Sequence, residues 1–165
     1  MMDIVRAHRE WAFVIIGVSA FVESLFILGL VFPATPIFLA VGGLLATGVL
    51  DPVPLIVSAI AGAILGDILS YVVGRKFGRR IIYRPFARPH RRNIAKARLF
   101  FRKYGMLSVF LGRFFGPLRP TVPFVAGLTQ MGQLRFQIAN CMSAIIWAPV
   151  MLMPGWMTVT GYNAI

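Results

Sequence analysis

The sequence predicts an all-α integral membrane protein, and three observations predict it. Hydrophobic residues make up 58% of the 165-residue chain, charged residues only 13%, and the mean hydropathy is +0.79. This composition excludes an ordinary water-soluble globular domain. Long apolar runs fill most of the chain, and prolines interrupt two of them, which predicts re-entrant helical hairpins beside full transmembrane helices. The length is that of a single transmembrane domain, residues 1–165.

The first two apolar runs predict one hairpin and one crossing. Residues 11–50 carry Glu23 as their one charge. As a helix this run would extend about 60 Å, twice the roughly 30 Å of hydrocarbon, so it must fold back or cross twice. Its length and Glu23 argue against a signal peptide. Residues 52–74 carry one charge, Asp67, and have the length of a single crossing.

The last two runs repeat this order. Residues 104–134 hold Arg113 and Arg119 and are interrupted by prolines, which predicts a second hairpin. Residues 136–160 are uncharged and long enough to span with some tilt.

Between the two halves lies a strongly basic segment. Twelve of the 17 Lys and Arg residues fall within 75–103, which contains no acid. The positive-inside rule places this segment in the cytoplasm. Residues 91–103 predict a basic amphipathic helix on the membrane surface, with Ile94, Leu99 and Phe101 towards the lipid. A topology signal alone is an equally good interpretation, and no nucleic-acid-binding motif accompanies the charge.

Two short segments form an internal repeat. PATPIFLAVGGL at 33–44 and PTVPFVAGL at 120–128 both read Pro-x-x-Pro, then an apolar stretch, then Gly-Leu. One crossing separates the copies, so they should face opposite sides of the membrane as an inverted repeat with broken helices. The expected hairpin breaks are Pro33, Thr35, Pro36, Pro117, Pro120 and Pro123. In the intervening run, small residues recur every fourth position and predict a helix-packing ridge: Ser58, Gly62, Gly66, Ser70 and Gly74.

Four ionisable residues, whose charges sum to zero, lie inside the apolar runs: Glu23, Asp67, Arg113 and Arg119. Each would cost roughly 2.5–3.5 kcal/mol at a bilayer centre, so none should face lipid. One interpretation is a pair of salt bridges that hold the hairpins together. The favoured interpretation is a polar cavity in which arginine forks bind an anionic group and a carboxylate exchanges a proton.

Two stretches resemble signatures of the DedA family: GDILSYVVGRKFG at 66–78 and GRFFGPLRPTVPFVAGLTQM at 112–131. The resemblance implies a polytopic protein of the bacterial inner membrane with two opposed re-entrant hairpins. It also implies flipping of undecaprenyl phosphate or a phospholipid, with dependence on proton or sodium gradients. By position, Glu23 matches the family's first membrane acid, and Arg113 and Arg119 match its paired arginines.

The sequence departs from the family pattern in two places. Thr35 stands where many members carry a second acid, which leaves any proton coupling to Glu23. The family usually continues beyond Tyr162 into another crossing, so the chain is either a short member or a truncated one.

The function expected from these features is transport of an anionic lipid phosphate, with membrane lipids and protons or sodium as partners. An ion- or proton-coupled antiporter or channel, or a membrane assembly factor, would use the same charges. An enzyme is not expected, because no nucleophile stands beside a base and both histidines lie outside the apolar runs. A single cysteine and these histidines supply no metal-ligand set, and no cofactor is expected. The sequence indicates no particular oligomeric state.

Overall fold

The computed structural model describes residues 9–26, 28–31, 35–48, 50–83, 91–114 and 119–162. All regular structure within these ranges is helical, which confirms the predicted all-α class. The helices, in chain order, are α1 (Arg9–Ser24), α2 (Leu28–Val31), α3 (Thr35–Ala46), α4 (Pro52–Tyr83), α5 (Arg91–Tyr104), α6 (Met106–Gly112), α7 (Thr121–Leu128) and α8 (Gln133–Tyr162).

Among the residues that the structure describes, two helices are long and apolar enough to cross a membrane. They are the Pro52–Gly78 part of α4 and the Gln133–Val159 part of α8. The two helices pack antiparallel, since the ring of Tyr71 stacks on that of Phe136 at 4.3 Å, while Ile56 and Leu152 line a cavity nearer the other end.

Two shorter helices run along α4 in its own direction. The backbone of α1 follows the first half, where Ser58 Oγ donates to Phe13 O at 2.5 Å and Ser70 Oγ donates to Ser24 O at 2.9 Å. The second half of α4 carries α7, because Gly74 packs on the carbonyl of Phe124. Thus α4 has an arm of a different hairpin along each half.

The same arrangement, with the hairpins exchanged, surrounds α8. Its first half contacts the end of α6, where Arg113 bonds to Asn140. Its second half contacts α3, since a Cβ added to Gly155 would overlap the carbonyl oxygen of Leu39.

The small-residue ridge of α4 packs as predicted. A Cβ added to Gly62 would overlap the carbonyl oxygen of Gly17, and one on Gly66 would crowd that of Phe21. Backbone therefore meets backbone along this contact, which only glycine permits, and the packing role of the ridge is confirmed.

The prolines lie slightly differently from the expected breaks. Thr35 and Pro36 are the first two residues of α3, and Pro123 is the third residue of α7. The missing N–H of proline is harmless in the first helical turn, so these residues begin helices instead of separating the hairpin arms. Pro120 directly precedes α7. Pro33 and Pro117 lie outside the described residues.

The basic segment divides between two helices. Its first part continues α4 beyond the predicted end of the crossing at Gly74, and its second part forms α5. On α5, Leu99 is exposed as expected for a lipid-facing residue, whereas Phe101 packs against a buried cluster that includes Val109. The side chain of Ile94 lies outside the described residues.

Candidate functional site: two ion pairs between the hairpin ends

The residues that follow α1 and those that begin α7 meet halfway along the long helices. The rings of Phe26, after α1, and Phe124, in α7, stack with centroids 4.0 Å apart and an interplanar angle of 8°. A Cβ on Gly29 would lie 2.9 Å from Pro120 Cβ, so these backbone segments are also in close contact. The four predicted intramembrane charges all lie at this junction.

Glu23 and Arg119 form the first ion pair, which connects the two hairpins. Arg119 Nη1 lies 2.8 Å from Glu23 Oε1, and Nη2 donates to Ser24 Oγ at 3.4 Å. The Arg119 side chain is only 5% exposed, and that of Glu23 is 14% exposed. This buried contact thus joins two residues that are far apart in the sequence.

Asp67 and Arg113 form the second ion pair, which is almost completely buried. Arg113 Nη2 donates to Asp67 Oδ2, and Nη1 donates to Asn140 O at 2.9 Å, Asn140 Oδ1 at 3.1 Å and Ser143 Oγ at 2.9 Å. This guanidinium therefore ties the second hairpin to both long helices.

Trp147 lies beside both arginines. Its ring centroid is 3.7 Å from the Cζ of Arg119 and 5.8 Å from the Cζ of Arg113, and the side chain is fully buried. An aromatic face stabilises a desolvated guanidinium by about 2 kcal/mol. Trp147 thus stabilises two guanidinium groups that are largely shielded from bulk water.

Sequence reasoning missed the contribution of α8 to this site. Asn140, Ser143 and Trp147 are spaced at i, i+3 and i+7, which places them on one helix face. The available signal was a stripe of residues with polar groups along one face of an otherwise apolar helix. None of these residues is charged, so none was selected as an intramembrane site residue.

A cavity of about 10 Å³, enough for about one water molecule, lies between the arginines. Its lining comprises Asp67, Val109, Arg113, Arg119, Val122, Pro123, Asn140 and Ser143. Within the part of the chain that the structure describes, several buried polar atoms around this cluster have no hydrogen-bond partner: Glu23 Oε2, Arg113 Nε, Arg119 Nε and Trp147 Nε1. The cluster thus retains N–H donors that an anion could use. No group of three metal-ligating side chains occurs among the described residues.

Comparison with known families identifies the family to which the chain belongs. The model of the VTT domain matches residues 32–157, about three quarters of the chain. The chain belongs to the DedA family of VTT-domain proteins. The resemblance found in the sequence is thereby confirmed, and with it the assignment as a membrane protein.

Curated relatives of this DedA-family chain include several bacterial membrane proteins. An uncharacterized membrane protein of Buchnera aphidicola subsp. Acyrthosiphon pisum is 31% identical over 148 residues, 90% of this chain and 58% of the relative. The inner membrane protein YabI of Escherichia coli is 28% identical over 136 residues, 82% of this chain and 54% of the relative. The inner membrane protein YqjA of the same species is 34% identical over 62 residues, 38% of this chain and 28% of the relative. The chain thus spans little more than half the length of the first two. No solved structure matches it.

Proposed function

We propose that this protein moves a phosphate-bearing anionic lipid, such as undecaprenyl phosphate or a phospholipid, across the inner membrane. The observation that carries the proposal is the pair of buried guanidinium groups, Arg113 and Arg119, on one cavity between two hairpin ends. Guanidinium forks match the geometry of a phosphate, and a buried position makes each hydrogen bond to it strong. The role is transport and not catalysis.

The proposed membrane arrangement is an inverted repeat of two re-entrant hairpins. Support comes from the packing, because α1 and α7 share α4 in the same way that α6 and α3 share the antiparallel α8. Each hairpin then enters from the side opposite to the other and ends near the middle of the bilayer. The basic segment 75–103 belongs at the cytoplasmic side by its charge.

The ion pairs suggest how a phosphate is exchanged. Phosphate oxygens would accept the guanidinium N–H groups that now donate to Glu23 and Asp67. Each exchange would leave a buried carboxylate without its partner. Glu23 is the carboxylate that we propose couples this exchange to an ion, because its Oε2 is buried and has no partner among the described residues. Proton or sodium uptake at Glu23 would then be linked to release of Arg119.

A lipid headgroup is larger than the cavity of about 10 Å³, so transport requires the hairpin ends to separate. The contacts that must part are the Phe26–Phe124 ring stack and the Glu23–Arg119 pair. Both join one hairpin to the other, which fits a barrier that opens between them.

The test uses Arg119→Lys in the full chain, reconstituted in proteoliposomes with undecaprenyl phosphate. Lysine keeps the charge that pairs with Glu23 but loses the bidentate fork. Transport should fall about tenfold or more, as expected for one hydrogen bond to a charged group worth about 1.5–3 kcal/mol. Arg80→Lys, an exposed position on α4, is the matched control and should transport normally.

Two results would contradict the proposal. Normal transport by Arg119→Lys at normal protein level would reduce the arginine to a salt-bridge partner. Ion flux in liposomes without any phosphate-bearing lipid would favour an ion-coupled antiporter or channel. An assembly factor would instead tolerate Glu23→Arg combined with Arg119→Glu, which preserves the pair but should abolish lipid transport.

A further inference from the structure

A large apolar groove lies between α5, α6 and α7. Its volume is about 630 Å³, within the range of sites that take a small molecule, roughly 300–1,000 Å³. Most of its wall is aromatic or aliphatic: Phe100, Phe101, Tyr104, Leu107, Leu111 and Val125. Leu107 and Leu111 are about half exposed, so the groove is open along one side.

The groove is adjacent to the arginine cavity. Val122 lines both, and Gly112, which also lines the groove, directly precedes Arg113. Val109, on the same helix as Leu107, lines the arginine cavity. Among the described residues, side chains of α6 and α7 thus lie between a hydrocarbon-sized space and the two guanidinium groups.

The α5 side of the groove is cationic. Lys103 Nζ lies 5.2 Å from the ring centroid of Tyr104, which lines the groove. Lys96 and Arg102, on the same helix, are exposed. An apolar space with Lys103 beside its wall, a basic helix along one side and buried arginines behind it matches an amphipathic molecule with a long hydrocarbon chain and an anionic head.

We propose that this groove holds the hydrocarbon chain of a phosphate-bearing lipid on its way to the arginines. The inference rests on the proposed function. It adds that the hydrocarbon chain of the lipid lies between α5, α6 and α7, so that the lipid reaches the arginines from the side of the basic helix α5. A second copy of this protein is a poorer occupant. The sequence has 17 basic and 5 acidic residues, so another copy offers little negative charge to meet the cations of α5.

The experiment is photolabelling of the full chain in liposomes with hexadecyl phosphate that carries a diazirine at the end of its chain. Cross-linked peptides are mapped by mass spectrometry. In the unmodified protein, the label should concentrate on groove residues of α5, α6 and α7. Leu107→Trp fills the groove with a larger side chain at an exposed position and should lower this labelling about tenfold. Val57→Trp, at an equally exposed position of α4 outside the groove, should leave it unchanged.

The outcomes separate this inference from the function on which it rests. Label spread evenly over the lipid-facing surface, and insensitive to Leu107→Trp, would overturn the groove even if transport depends on Arg119. Absence of label from the groove would overturn the inference as well. That result would be expected if another protein surface covered the groove. Groove labelling that Leu107→Trp removes, together with normal transport by Arg119→Lys, supports the groove and contradicts the phosphate clamp.

Discussion

The two buried arginines differ in how firmly they are held. Arg113 donates to Asp67 through Nη2, and to both oxygens of Asn140 and to Ser143 through Nη1, so each terminal nitrogen has an acceptor. Within the described residues, Arg119 has one ion pair, to Glu23, a long hydrogen bond to Ser24 and the ring face of Trp147. We infer that Arg113 anchors the second hairpin and that Arg119 is the first to exchange its carboxylate for a phosphate.

Asp67 supplies the residue-scale prediction. Asp67→Asn leaves the Arg113 guanidinium buried without its counter-charge, which should lower the free energy of unfolding by about 3–5 kcal/mol. Thermal unfolding in detergent measures the loss, and Asp51→Asn, at an exposed acid before α4, should change it far less. Replacing both partners, as Asp67→Leu with Arg113→Met, should restore stability but not transport. A double variant that transports would show that the pair is purely structural.

The charges of the site could be predicted from sequence, but their partners could not. An ionisable residue in an apolar run is expensive, so Glu23, Asp67, Arg113 and Arg119 had to lie together. Which acid meets which arginine depends on how α1 and α6 pack on the long helices, and the local pattern carries no information about that packing.

At the scale of helices, glycines determine how closely other helices approach α4. Gly62 lies against the backbone of α1 and Gly74 against that of α7, so one face of α4 receives arms of both hairpins. Period-four spacing is visible in sequence, and the ridge was predicted for that reason. The exact start of α3 was not, since proline fits the first turn of a helix as well as the break before it.

Gly62→Ala tests this packing. Its Cβ would overlap the carbonyl of Gly17, and neither backbone can move without separating α1 from α4. Stability should fall by about 1–3 kcal/mol, as for an overpacked core. Gly132→Ala is the matched control, because a Cβ there meets nothing within 4 Å. Equal unfolding temperatures for the two variants would contradict a backbone-to-backbone contact.

For the molecule as a whole, the proposed transport depends on how the shorter helices pack on the two antiparallel long helices. Because α4 and α8 are antiparallel and each carries one arm of each hairpin, separating the hairpins must also change the packing of both long helices. The polar atoms lie at the centre of this arrangement, and the basic helix α5 and the apolar groove lie towards one end. The two ends of the long helices therefore differ in charge.

The whole-molecule prediction is that α4 and α8 begin on opposite sides of the membrane. Thr47 lies in the exposed turn before α4, and Gly132 directly precedes α8 on the side of the basic segment. In a Cys141→Ala background, we expect Gly132→Cys to react with a membrane-impermeant maleimide only after the membrane is permeabilised, because the positive-inside rule predicts that the end carrying the cations of 75–103 lies in the cytoplasm. Thr47→Cys, at the opposite end of α4, should then react in intact cells. Labelling of both from the same side would require α4 not to cross the membrane, and the inverted arrangement of the hairpins would then be wrong.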